Sequence, residues 1–316
     1  MKNKKILIIG GTGALGKTLI KRYQGINDIL ILSRDEHKHV YLSKEEWVSE
    51  DVKFRIGDVK DIDSLRNTIE DYKPDVIINT AALKHVPICE ANPYESVNVN
   101  VIGHQNLIQA IKWSSHTIET LIFVSTDKAC KPINVYGMCK AISERLYIEY
   151  ANQQSDIKVC LVRYGNVLES TGSVIPFFKK LLEEGKTSLP ITDMRMTRFL
   201  LTLERATELI DWAYNNDPHG KIAIPKVESF SIKSIANALI KWKGIDGELD
   251  IVGIRPGEKL HEEMISDIEW MRTVDAGENF LITDNFVTND TKSYNSLDSL
   301  MDDDKVYEFL ENSEVI

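Results

Sequence analysis

Up to about residue 165 the chain alternates short runs of Val, Ile and Leu with longer stretches whose apolar residues recur at helical spacing, and no other feature limits the fold so tightly. The runs fall at 6–9, 29–32, 52–56, 76–78, 121–124 and 159–162, and they are short and almost uniformly apolar, as in strands buried on both faces. The stretches between them predict helices at 15–23, 62–71, 94–113 and 135–153. Strands buried on both faces need helices on both sides, so the expected class is α/β: a Rossmann-like, doubly wound parallel sheet. After Gly165 the rhythm breaks into short strands and loops, with helices expected at 174–184, 203–214 and 232–241. Residues 1–165 are expected to build the sheet and 166–316 a smaller C-terminal region, interleaved at the boundary, with a cleft where they meet. The last twenty residues are acidic, but Val306, Tyr307, Phe309 and Leu310 give them an apolar stripe, which predicts a docked terminal helix.

Composition narrows the chemistry. A chain of 316 residues with 43% apolar side chains fills a core without a disulfide framework. Its formal charge of −10 repels phosphate backbones, so no nucleic-acid partner is expected, although a local basic pocket remains compatible with it. No apolar run approaches the ~18–20 residues that span a bilayer, so a soluble protein with no membrane partner is expected. The start, Met-Lys-Asn-Lys-Lys, has the charge of a secretion signal, but the apolar stretch behind it stops at Gly10 without a small-residue cleavage site. Cys89, Cys130, Cys139 and Cys160 form no C-x-x-C pair, which favours a reducing compartment, the cytoplasm. His261 and Glu262, read as lying on a helix, lack a second ligand pair, and no metal site is expected.

Directly after the first strand come glycines at 10, 13 and 16, a G-x-x-G-x-x-G turn that opens the first helix. Missing side chains let a pyrophosphate approach the backbone, and the amides of Ala14, Leu15 and Gly16 then point at the anion. A tight turn of purely structural purpose is the competing reading. The second strand ends Leu32-Ser33-Arg34-Asp35. Ser33 and Arg34 suit the 2′-phosphate of NADP, whereas an acidic residue directly at the strand end would suit the ribose of NAD, and Asp35 follows at once. Gly57-Asp58-Val59, after the third strand, places Asp58 near the adenine amino group or leaves it a simple loop carboxylate. Thr12, Val59, Ala81 and Ala82 line the same groove, and Asn79 and Asn100 are expected to fix its backbone.

The fifth strand runs into Ser125-Thr126-Asp127-Lys128, and the next helix carries Tyr136 and Lys140. Four residues is just over one helical turn, so phenol and ammonium share a face. Lys140 there can lower the pKa of Tyr136 and contact the nicotinamide ribose, while Thr126 positions the substrate hydroxyl that Tyr136 deprotonates.

With these motifs the chain resembles the extended short-chain dehydrogenase/reductase family, and within it the inverting UDP-N-acetylglucosamine 4,6-dehydratases that open pseudaminic acid synthesis. The resemblance runs from roughly residue 4 to 270 and rests on Gly10 to Gly16, on the segments 79–86 and 125–129, on Tyr136-Gly137-Met138-Cys139-Lys140, and on 163–167, 191–199 and 253–259. The last two segments are the most diagnostic. About forty C-terminal residues match nothing in it.

The resemblance implies a hydro-lyase in which hydride passes from C4 of the sugar to NADP, water leaves across C5 and C6, and the hydride returns to C6 with no net oxidation. It implies Lys128 as the base at C5 and Asp127 as the acid at the C6 hydroxyl. Lys128 must then be neutral for part of the cycle, against a reference pKa of about 10.4, and Asp127 must carry a proton. Lys140 and an oxidised nicotinamide nearby are expected to push Lys128 down, with the adjacent carboxylate opposing. Retaining relatives typically carry Asp-Glu in place of Asp127-Lys128; those with Asp-Lys tend to replace the tyrosine by methionine, so Tyr136 points to inversion. For the UDP-sugar, Arg198 and Arg255 are the expected diphosphate ligands and Glu258 the partner of the ribose. The resemblance adds Lys84, which also borders the cofactor, with Asn166 and Thr197. It implies a homo-oligomer, dimer or hexamer, through helices flanking the sheet. A retaining dehydratase or 4-epimerase of another nucleotide sugar is the alternative enzyme. A non-catalytic NADP-binding protein would be expected to have lost Tyr136 or Lys140.

Overall fold

The computed structural model describes every residue except Glu169 and Thr171. Its first half is the expected alternation: β1 (Lys5–Ile9), α1 (Ala14–Tyr23), β2 (Asp28–Ser33), α2 (Glu36–Ser43), β3 (Lys53–Ile56), α3 (Ile62–Tyr72) and β4 (Val76–Asn79). The short helices α4 (Val86–Ala91) and α5 (Pro93–Val97) follow, then α6 (Gly103–Trp113), β5 (Thr120–Val124), α7 (Val135–Gln153) and β6 (Lys158–Val162). In the second half lie β7 (Asn166–Val167), α8 (Val174–Glu183), β8 (Ser188–Ile191), β9 (Thr197–Leu201), α9 (Leu203–Asn216), β10 (Ile222–Pro225), β11 (Ser229–Ser231) and α10 (Ile232–Lys243). The chain ends with β12 (Glu248–Ile251), β13 (Glu263–Ile265), α11 (Asp267–Trp270), β14 (Thr273–Ala276), β15 (Asn279–Ile282) and α12 (Asp303–Asn312).

Among the described residues the main sheet runs β14-β15-β10-β6-β5-β4-β1-β2-β3. From β10 to β3 its neighbours are parallel, while β15 and β14 pair antiparallel at the far edge. The order 3-2-1-4-5-6 reverses between β1 and β4, and ligands of such sheets bind beyond the strand ends at that reversal. One face packs Leu65, Ile69, Leu107, Tyr147 and Tyr150 from α3, α6 and α7; the other packs Leu19, Ile20, Leu209 and Ile210 from α1 and α9. Each fully buried Leu or Ile contributes roughly 1.5–3 kcal/mol, which is why the uniformly apolar runs specify this architecture. The second half is therefore no separate lobe, because β10, β14 and β15 complete the sheet. Its own core joins α8, α10 and α12, with Val306 and Leu310 fully buried and Phe309 against Phe230, so the acidic C-terminus docks as expected. No helix of the described residues is long and apolar enough to cross a membrane.

Two sequence expectations need correction. The single helix expected over 94–113 is divided: a π-helical turn, Asn98–Ile102, separates α5 from α6. That wide turn accompanies a buried Asn100 whose amide bonds both backbone groups of Leu83, holding the segment after β4. His261 and Glu262 are not helical either. The segment is extended, because Thr197 N–H donates to the Leu260 carbonyl, Glu262 N–H bonds the Ser296 hydroxyl, and β13 follows directly.

Candidate active site

The glycine turn shows three different needs. Gly10 has φ +79°, and a Cβ there would lie 2.8 Å from the Ala81 backbone; a Cβ on Gly16 would meet the Gly11 backbone at 2.2 Å. Both are fixed by packing. A Cβ on Gly13 would meet nothing closer than 3.5 Å, so it would project into open groove. Gly13 is also the N-cap of α1 and supplies no side-chain acceptor, leaving the amides of Ala14, Leu15 and Gly16 for an outside anion. The groove therefore fits a pyrophosphate.

At the end of β2, Thr12 Oγ1 donates to Ser33 Oγ at 3.2 Å, and Ser33 also bonds the buried His39 ring, a contact the sequence did not suggest. Arg34 is exposed and makes no hydrogen bond or salt bridge with a described residue. Asp35 turns away to cap α2, accepting from Lys38 N–H at 3.1 Å. Asp58 accepts from Lys60 N–H, and Val59 is buried against Gly103. Ala81 N–H is held by the Asn79 side chain, Ala82 is half-buried, and Lys84 is exposed at the sheet end.

Beyond β5 the backbone makes a single tight turn, Asp127–Ala129, capped by Thr126. α7 packs straight onto it: a Cβ on Gly137 would stand 2.2 Å from the Lys128 carbonyl. Asn134 sets the start of α7, accepting from Gly137 N–H and donating to the Gly257 carbonyl, which ties the Arg255–Glu258 loop to the mouth of the site. Within that loop Arg255 is exposed and lies 3.8 Å from Glu258.

Lys128 Nζ donates to Asp127 Oδ1 at 3.0 Å and to Asn166 Oδ1 at 3.5 Å, and lies 3.7 Å from Glu262 Oε1. Thr126 Oγ1 donates to the same Asp127 oxygen at 2.9 Å. Asp127 is fully buried, and its second oxygen has no partner. The expected lowering of Lys128 is reversed. Burial disfavours its charge, but the Asp127 and Glu262 carboxylates outweigh burial and Arg198, and hold the ammonium above its ordinary range. Tyr136 is raised, first by burial and then by Asp127. Lys140 does not counter this as expected: its ammonium donates to the Val124 carbonyl at 2.6 Å over the Phe123 ring, and burial pushes it down to about 7.

The structure brings Thr126, Asp127, Lys128, Tyr136 and Asn166 into one cluster and adds Arg198, whose Nε lies 3.9 Å from Glu262. Arg198 is buried, with its fork bonded to the Thr197 and Leu260 carbonyls. Thr197 is buried too, its hydroxyl engaged by His261 and Ser296. Sequence reasoning passed over Glu262 as a site residue; reading it as helical hid that it lies 3.7 Å from Lys128.

A second charged cluster centres on Arg163, directly after β6. Arg163, fully buried, bonds Glu144 at 2.6 and 2.9 Å, Glu269 at 2.8 and 3.0 Å and the Met264 carbonyl at 2.8 Å. Ser125 adds a bond to Glu144 at 2.6 Å.

Comparison with known proteins places the chain in a family. Residues 6–284 match the family model described as polysaccharide biosynthesis protein. A UDP-N-acetylglucosamine 4,6-dehydratase (inverting) of Campylobacter jejuni is 42% identical over 83% of this chain and 78% of its own. A UDP-glucose 4-epimerase of Rickettsia akari is 36% identical over 87% and 81%. The solved structure of Pen from Bacillus thuringiensis superposes with a TM-score of 0.91 at 29% identity, covering 100% of this chain and 99% of that one. The chain belongs to the polysaccharide biosynthesis protein family and, through it, to the extended short-chain dehydrogenases/reductases.

Proposed function

We propose that this protein is a UDP-N-acetylglucosamine 4,6-dehydratase, inverting at C5, that works with NADP in the cytoplasm. The Lys128–Asp127 contact at 3.0 Å carries the reading, because a 4-epimerase needs no acid–base pair at C5 and C6. The Campylobacter relative supports the same substrate and outcome, and the Rickettsia relative keeps 4-epimerisation as the alternative.

NADP, when bound, supplies the reversible hydride acceptor that links C4 to C6. Ser33 and Arg34 would hold its 2′-phosphate, with Asp35 occupied at α2, and Gly13 and the α1 amides would take the pyrophosphate. Tyr136, as the phenolate, accepts the C4 hydroxyl proton, and Thr126 positions that hydroxyl. Lys128 takes the C5 proton and Asp127 protonates the departing C6 oxygen. The pair as found, ammonium beside carboxylate, has the charge distribution it reaches just after elimination. To begin a cycle one proton crosses from Nζ to Oδ1, which leaves a neutral amine and a carboxylic acid without changing the net charge. Lys84, Asn166, Arg255 and Glu258 are the proposed contacts of the UDP-sugar, with Thr197 and Arg198 supporting its pocket from behind. The exposed apolar residues Tyr94, Val97, Ile102, Met138 and Ile142, on α5 to α7, support a homo-oligomer.

The test is incubation of the protein and NADP with UDP-N-acetylglucosamine and no added reductant. A product ~18 mass units lighter, deuterated at C5 in heavy water and L-configured by NMR, is expected. Unchanged mass with inverted C4 would establish epimerisation instead.

A further inference from the structure

Glu262 is 97% buried by its 3% exposure, yet nothing bonds its side chain closely. Its Oε1 lies 3.7 Å from Lys128 Nζ and 3.9 Å from Arg198 Nε; its Oε2 lies 3.9 Å from Lys259 Nζ and has no hydrogen-bond partner. Lys259 is itself tied to the Cys130 carbonyl at 2.7 Å, and Arg198 to two backbone carbonyls, so both cations are anchored elsewhere. Lys128 differs from both in that its close partner is another carboxylate, Asp127, rather than the backbone. Its three N–H groups face three oxygens: Asp127 Oδ1, Asn166 Oδ1 and Glu262 Oε1.

Resting on the assignment of Lys128 as the C5 base, we propose that Glu262 is a positioning residue of the reaction: a second carboxylate that shares the Lys128 ammonium with Asp127. Its role follows from charge. Asp127 has two duties, counter-ion to Lys128 and proton donor to the leaving oxygen, and it cannot perform both at once. Glu262 keeps a negative charge beside the amine when Asp127 is protonated, and so holds Nζ in place through the transfer.

The experiment is the pH profile of kcat/KM for dehydration by NADP-loaded wild-type and E262Q enzymes. The active form holds one proton on the Asp127–Lys128 pair, so the acid limb marks the gain of a second and the alkaline limb its loss. Removing a nearby negative charge disfavours protonation, so both limbs of E262Q should move to lower pH. The alkaline limb should move most, by about one pH unit for a charge at that separation. Tyr136 and Lys140 are influenced by Asp127 and by Glu144 respectively rather than by Glu262, so their titrations should stay in place. A profile lowered in height with its limbs unmoved overturns the proposal. E262D, which withdraws the carboxylate by one methylene, should show a smaller displacement in the same direction; if E262Q does not fold, unmoved limbs in E262D overturn it. Lys128→Ala separates the two readings: turnover surviving in that variant removes the base itself, whereas its loss together with unmoved E262Q limbs removes only the role of Glu262.

Discussion

Two buried clusters, each a basic group between two carboxylates, sit just beyond the ends of β5 and β6, and they are built to opposite specifications. Around Arg163 every guanidinium nitrogen is bonded at 2.6–3.0 Å, to Glu144, Glu269 or the Met264 carbonyl. Around Lys128 the distances stretch from 3.0 to 3.7 Å, and one oxygen each of Asp127 and Glu262 is left without a partner. A satisfied cluster is a fastener, since moving any proton would strand a buried charge. An unsatisfied one is loose enough to exchange a proton. The contrast separates structural from chemical charge by completeness of bonding rather than by burial, which the two share.

Four measurements press on that contrast. Lys128→Ala should remove up to about 10⁴-fold of dehydration, the upper range for a lost general base, while leaving NADP binding intact by titration. Arg163→Met should act on stability instead: two stranded carboxylates should cost about 3–5 kcal/mol in urea unfolding. Should Lys128→Ala prove the more destabilising of the two, the distinction fails.

Acid titration gives a smaller effect. Burial would raise Glu269, but Arg163 overrides it and holds the carboxyl down to about 2 from an ordinary 4.5. A carboxyl depressed in the folded state stabilises above its unfolded pKa and loses that contribution as pH falls through the folded one. Stability of about 3 kcal/mol should therefore disappear between pH 4.5 and 2, and Arg163→Met should flatten that slope in unfolding scans. Smallest of all, Arg34→Ala should weaken NADP binding about tenfold with little change for NAD, as expected for one exposed guanidinium–phosphate contact, read by fluorescence titration.

The legibility of these features follows from how far apart their parts lie in the chain. Strands β1, β2, β4, β5 and β6 are readable because each carries a contiguous apolar run, β3 by its alternation of apolar and charged residues, and Tyr136 with Lys140 because four residues on a helix are neighbours. Arg163 and Glu269 are 106 positions apart and leave no local pattern. Glu262 was hidden for a related reason: its segment has helical composition but is pulled straight by Thr197 and Ser296, partners far away in sequence. The π-helical turn at 98–102 likewise depends on Asn100 reaching Leu83, a tertiary bond that periodicity cannot register.

The fastener at Arg163 also has a bearing on biosynthesis. Its guanidinium stands at the exit of β6, while one of its two carboxylates and its carbonyl acceptor arrive only with residues 264–269. A nascent chain stalled after β6 would carry that cation beside a raw sheet edge, with β10, β14 and β15 not yet translated. Ribosome-bound fragments ending before Glu269 should consequently recruit chaperones and yield to protease, and the Rossmann-like half should become resistant only once the distal carboxylate has emerged from the exit tunnel.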